Sequence, residues 1–410
     1  MRTTRRLTFF ALAAILGAGI AFGQSPSPLP APSAPSSSPS QGTLPVAPPP
    51  SAAPILGFPA ADGLAPPPAI PYVPGVELAP DWPRWFTGAS GLVMTRTLPG
   101  GAPVALSPGH GVVLATSDAA ASWSGGIDLH LGRWLWASQE HGVEAVYWGA
   151  YGIGSTATVT DPANRLQAAP RAPGMTVAGS PASSFLTNAR AESISRSDLV
   201  NNVEINWLWA PWGRPEFFVP GEGPVTLTWL AGFRFFELED VLQSTSLSGS
   251  VPPGATIGWN GGANQFGLGV ATNNDIFGAQ IGGKADWHLL PKLRLSVVKK
   301  FMFGGNAITD TSTMATGNGV VGTFPGGAPA QAHGTASAFS YLGQLDGSLV
   351  WDVSRTWSLS LGYRLVGLAN IAQADPSWPQ SVTSSASLLH LNTNGSTFVH
   401  GAFAGFQGRF

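Results

Sequence analysis

Residues 225–238 read VTLTWLAGFRFFEL. Successive side chains of an extended chain point to opposite faces. Val225, Leu227, Trp229, Ala231, Phe233 and Phe235 therefore share one face, and Thr226, Thr228 and Arg234 share the other. Alternation of this kind marks a β-strand with one apolar and one polar side. By itself it does not say whether the apolar side meets lipid or a protein core.

The pattern recurs along the chain. In 198–209, Leu199, Val203, Ile205, Trp207 and Trp209 oppose Asn202, Glu204 and Asn206. In 273–288, Phe277, Ala279, Ile281, Ala285 and Trp287 oppose Gln280, Lys284, Asp286 and His288. In 357–371, Trp357, Leu359, Leu361, Tyr363 and Leu365 oppose Ser358, Ser360 and Arg364. Ten extended segments follow from this reading: 84–96, 123–136, 143–153, 198–209, 225–238, 273–288, 292–303, 339–352, 357–371 and 397–410. The gaps between them alternate long and short. The long ones are 97–122, 154–197, 239–272, 304–338 and 372–396; the short ones are 137–142, 289–291 and 353–356, with 210–224 intermediate. Long loops at one end and tight turns at the other are the layout of a transmembrane antiparallel up-and-down β-barrel. The expected fold is all-β with about ten strands. Segments 109–116 and 264–271 would make twelve, but both lie inside long gaps and would break the alternation.

Three features favour lipid over a protein core. Of the 15 tryptophans, Trp82, Trp85, Trp134, Trp136, Trp207, Trp209, Trp212, Trp229, Trp287, Trp351 and Trp357 lie beside the start of the first strand or a short turn. Indole rings prefer the membrane–water boundary. The segments are longer than the usual five or six residues of soluble sheets. The chain also ends on a strand with Phe398, Ala402, Ala404, Phe406 and Phe410 on one face, and Phe406 and Phe410 resemble an outer-membrane assembly signal. Gly408 stands where that signal often carries an aromatic residue.

Composition narrows the function classes. Charged residues make up 10% of the 410, far below the quarter typical of soluble domains. The net charge is −2 without a basic stripe, which argues against a nucleic-acid partner. The absence of cysteine excludes disulfides and thiolate metal sites. Arg2, Arg5 and Arg6 followed by apolar 7–20 and Ala21-Phe22-Gly23 read as a signal peptide over 1–23, cleaved before Gln24. Residues 24–80, dense in Pro, Ala and Ser, read as a disordered periplasmic spacer that can carry a periplasmic partner. The barrel itself is assigned to 81–410, exported to the outer membrane, with outer-membrane lipid, the barrel assembly machinery and small solutes as expected partners.

The inward faces supply Asn202, Glu204, Asn206, Thr226, Thr228, Arg234, Gln280, Lys284, Asp286, Gln344, Asp346, Ser360 and Arg364. Two readings of this set stay open. Glu204, Arg234, Gln280, Lys284, Asp286 and Arg364 form the constriction of a narrow polar pore, or the charged ones, Glu204, Arg234, Lys284, Asp286 and Arg364, pair across the lumen and close it. The histidines are scattered and no Gly-x-Ser-x-Gly elbow occurs in a strand-to-helix setting, so no catalytic residue is assigned. His130 and His288 face inward near acids and read as structural. Asp118, Asp161 and Asp310 read as isolated loop acids and Gly304-Gly305 as loop glycines, so neither a metal nor a cofactor is expected.

The segment 230–239, LAGFRFFELE, resembles a hallmark of the putative β-barrel porin seven family of planctomycetes. So does Asn274-x-Ile276-x-Gly278-x-Gln280-x-Gly282, where the family more often has Phe at the Ile276 position. Asn202-x-Glu204-x-Asn206 and Gly362-Tyr363-Arg364 fit two further strands, so the resemblance runs from about 84 to 410. It implies an outer-membrane barrel with a transport role and no established catalytic residues. The expectation is therefore a porin-like channel passing small solutes by diffusion. The alternatives are a non-conducting structural or adhesive barrel with ligand-binding surface loops and, as a third class, a soluble secreted β-sandwich.

Overall fold

The computed structural model describes residues 83–135, 140–211, 225–248 and 261–410. The signal at 1–23 and the spacer at 24–80 lie outside the described residues, as do Trp82, Trp136 and Trp212. Ten strands build the wall: β1 Trp85–Arg96, β2 Ser124–Leu135, β3 His141–Ile153, β4 Ala191–Trp209, β5 Val225–Leu247, β6 Gln265–Leu290, β7 Leu293–Thr316, β8 Gln331–Asp352, β9 Trp357–Ile371 and β10 Gly395–Arg409. Every pairing is antiparallel, and β1 pairs with both β2 and β10. At that seam Trp85 and Phe410 exchange backbone hydrogen bonds of 2.8 and 3.0 Å, so the terminal aromatic residue is held inside the ladder. The ring closes where β3 meets β4. There Tyr147 Oη donates to Asn201 Oδ1 at 3.0 Å, and the Ala210 amide donates to the Glu140 carbonyl at 2.7 Å. A closed ring leaves no unpaired edge, the condition for a sheet to sit in hydrocarbon. Among the described residues, no helix is long and apolar enough to cross a membrane.

The outward side carries the apolar set read from the sequence. Phe233 is 70% exposed, Leu361 63% and Ile281 50%. Val203 shares this side but is only 8% exposed beside its register partner Phe235. Trp85, Trp207, Trp209, Trp229, Trp287, Trp351 and Trp357 point outward at the short-turn end. Trp134 departs from that girdle: it turns into the lumen and packs with Phe86, Leu208 and Leu230. At the other boundary Phe233, Phe277, Phe303 and Phe339 form a second aromatic level. The apolar band on β5 runs from Val225 to Phe235, which matches the ~9–11 tilted residues needed to cross hydrocarbon. Above it the outward side turns polar at Asn201, Glu237 and Asp275, which are register partners.

Several strands continue well beyond the expected segments, always at the long-loop end. The stretch 264–271 extends β6 and adds no strand. Asp310 and Gly304-Gly305 belong to β7, not to a loop. Gly304 faces inward so close to β6 that a Cβ would run into the Phe277 carbonyl. The family-like Gly232 and Gly278 are needed for the same reason, against the carbonyls of Ile205 and Phe303. Gly408 has its own cause. Trp357 of β9 lies over it and packs on Phe406 and Phe410 at 6.0 and 6.4 Å, filling the space an aromatic residue would take.

The long connections fold over the mouth as a cap. Pro103–Ser107, Gly111–Ala115 and Gln167–Ala168 make a small sheet there, so 109–116 is a cap strand outside the ring. Val104, Leu114, Met175, Leu186, Phe324 and Trp378 pack in the cap against inward Ile194, Leu242 and Phe266 of the extended wall. Also in the cap, Arg165 donates to Asp161 at 2.8 Å, and with the Ala163 amide holds that carboxyl below its ordinary range.

Candidate functional site

The inward side chains stack in layers along the lumen. Nearest the short-turn end, Asp286 lies 3.2 Å from Lys284 and 3.3 Å from Arg294, and Arg294 continues to Asp352 at 3.0 Å. Arg409 closes this chain on Asp352. Beside it is a cavity of about 150 Å³ with a mixed lining that includes Lys284, Ser348 and Gln407 as well as Phe86, Trp134 and Leu208. Its residues come from the short-turn halves of the strands, so it forms a vestibule at that end.

The next layer is ionic and crosses the barrel. Glu204 is fully buried and takes Lys300 Nζ at 2.6 Å, Asn202 Nδ2 at 2.8 Å and Gln280 Nε2 at 3.2 Å. Arg234 donates to Asn202 and Gln280 and lies 3.9 Å from Glu204. Arg364 reaches Asp128 at 2.7 Å and Asp346 at 2.9 Å, with its guanidinium 5.1 Å over the Trp148 ring. His130 faces Asp128 at 2.7 Å and Glu144 at 3.5 Å through its two ring nitrogens.

Above this layer the lumen is filled mainly by apolar side chains. Leu92, Met94, Trp148, Phe236, Met302 and Val366 belong to one contiguous buried cluster. That cluster draws residues from every ring strand except β2. Trp148 and Phe236 meet edge to face at its centre, 5.8 Å apart.

A second ionic layer separates this cluster from the cap. Arg96 pairs with Asp198 at 2.6 Å and Asp240 at 2.7 Å; Arg196 pairs with Asp240 at 2.9 Å and Asp375 at 2.7 Å. All five side chains that make these pairs are fully buried. Asp375 belongs to the connection after β9, so this layer draws the loop into the barrel mouth. Asn274 fixes the same segment by donating to the Ala372 carbonyl at 2.9 Å and accepting from its amide at 2.8 Å.

The structure therefore divides the expected constriction residues among layers. Glu204, Arg234 and Gln280 make one network, Arg364 sits beside it with Asp128 and Asp346, and Lys284 with Asp286 lies nearer the short turns. Lys300 was missed in the sequence reading. Its parity with Arg294 and Ser296 was the available signal, because in the Lys299-Lys300 doublet only one residue can face inward. Arg96, Arg196 and Asp375 gave no such signal, since their partners lie up to 179 positions away along the chain.

No curated protein matches the sequence. Among solved structures, the Escherichia coli outer membrane protease OmpT shares 9% identity over 80% of this chain and 97% of its own, at a TM-score of 0.41. The toluene transporter TodX of P. putida shares 9% over 81% and 91%, at 0.28. The toluene transporter TbuX of Ralstonia pickettii shares 10% over 80% and 90%, at 0.30. These superpositions are too loose to bear on function. The family model for Putative beta barrel porin-7 matches residues 87–394, and with the closed ten-stranded ring this makes the chain an outer-membrane β-barrel that belongs to that family.

Proposed function

We propose that this barrel is shut at rest and holds a folded cap at the cell surface. On this reading it is a non-conducting member of its porin family until its plug moves. The observation that carries the proposal is the apolar cluster around Trp148 and Phe236, closed across the lumen between two buried ionic layers. A hydrated solute entering from the vestibule would have to strip Lys300 from Glu204 and then pass a layer of mainly apolar side chains. Breaking one partner of a buried pair costs about 3–5 kcal/mol. Passive diffusion past Glu204, Arg234, Lys284 and Arg364 is the second reading. The charged and hydroxyl side chains that line part of the vestibule favour it, and it requires the cluster and the 372–378 segment to swing aside.

Side-specific labelling tests the proposal. The chain has no cysteine, so Ser348→Cys places a single thiol in the vestibule. A bulky, membrane-impermeant maleimide should leave it unlabelled in intact cells and label it once the periplasm is opened. Labelling from both sides would reject a shut lumen.

A further inference from the structure

The lipid-facing band contains a charge that nothing among the described residues accounts for. Lys299 points outward on β7, between Val297 and Phe301 and opposite Gly283 of β6 and Leu345 of β8. It is exposed and, among the described residues, makes no ion pair or hydrogen bond. Parity cannot turn it inward, because Lys300 occupies the lumen side and is committed to Glu204. Its depth is the worst available. It stands midway between Leu293 at the short-turn end and the outer aromatic Phe303, where a charge on a barrel wall is most destabilising in lipid.

The surface beside it is shaped for close approach. Gly343 and Gly347 flank Leu345 on the outward side of β8, and a Cβ at either would meet nothing within 4 Å. Across this smooth floor lies Tyr363 of β9, the register partner of Gly347. Its hydroxyl is 2.6 Å from His400 Nδ1 on β10, also on the outward side. A phenol that donates to His400 keeps oxygen lone pairs to accept a further donor. Lys299 and Tyr363 lie at matching depth, each six positions in from its short-turn end at Leu293 and Trp357.

We propose that this face is an interface between two copies of the chain. Two barrels in one bilayer are related by a two-fold axis along the membrane normal, which makes the contact self-complementary. An axis through β8 sets Gly347 against Gly347 and brings β7 of each copy opposite β9 of the other. Lys299 of one copy then donates to the Tyr363 hydroxyl of its partner, and the same bond repeats on the far side of the axis. The lysine leaves hydrocarbon and the glycines let the two walls meet. This inference rests on the membrane-facing wall and is independent of whether the lumen conducts.

The absence of cysteine makes cross-linking a clean test. Gly347→Cys, kept in the outer membrane and oxidised with copper phenanthroline, should give a disulfide-linked dimer. Leu129→Cys, on the outward side of β2 away from the proposed axis, should stay monomeric. Adding Lys299→Leu to Gly347→Cys should lower the cross-linked fraction several-fold, with heat-modifiable migration reporting that each variant is folded. Folded Gly347→Cys protein that forms no dimer overturns the proposal. So does equal cross-linking at 129, or cross-linking at 347 that Lys299→Leu leaves unchanged.

Discussion

Asp240→Ala should destabilise the barrel by about 3–5 kcal/mol, the range expected when one partner of a buried ion pair is removed. Asp240 is fully buried and holds two guanidiniums, Arg96 at 2.7 Å and Arg196 at 2.9 Å. It also accepts the Ala374 amide at 3.0 Å. Truncation leaves each guanidinium with a single carboxylate, Asp198 for Arg96 and Asp375 for Arg196, and frees one anchor of the 372–378 segment, so the loss should fall first on the cap and the barrel mouth. Denaturant unfolding from detergent micelles reads the cost, and hydrogen exchange reads its location. Glu237→Ala is the control on the same strand. That carboxylate faces outward above the apolar band, where it accepts from Asn201, and losing it should cost about 1 kcal/mol or less. Equal effects at 237 and 240 would show that the second ionic layer does not hold the mouth together.

Removing the paired Trp148 and Phe236 rings of the apolar cluster should open a path. Large-to-small changes of buried aromatics cost about 3–5 kcal/mol each. The Trp148 and Phe236 rings touch, so the double variant Trp148→Ala/Phe236→Ala should cost less than the sum of the single changes. Trp148 also carries Arg364 over its face, so its loss loosens the ionic layer below as well. The vestibule would then connect through the vacated space toward the cap. Discrete conductance steps are expected in planar bilayers from the double variant, and smaller or rarer ones from each single change. Folded double variant that stays silent would mean the closure lies in the cap.

The membrane-embedded halves of the strands were legible because two signals agree there. On β5, Val225 to Phe235 is apolar outward and polar inward, and the tryptophans mark one boundary. Ten strands, the ring and the family follow from that half of the pattern. The outer halves were read as loops for a physical reason. Above the bilayer the outward side meets water and the inward side meets the cap, so the phase inverts. Ser193, Ser195 and Gln243 now face out while Ile194 and Leu242 face in. A search for one continuous apolar face stops where that sign changes. The inward parity of Glu204, Arg234, Gln280, Lys284, Asp286 and Arg364 was legible from the same alternation. Their division into layers was not, because it depends on which strands the closed ring sets opposite one another. Trp134 and Trp148 show the matching limit for aromatics: both are buried in the lumen, and only strand parity, not proximity to a turn, distinguishes such a ring from a girdle tryptophan.

The central claim is that the Trp148–Phe236 cluster and its flanking ionic layers shut the lumen, and the wild-type chain in a planar bilayer tests it most directly. Heat-modifiable, correctly folded protein should insert and carry no measurable ion current at moderate voltage. A steady, ohmic single-channel conductance from that same material would contradict the account.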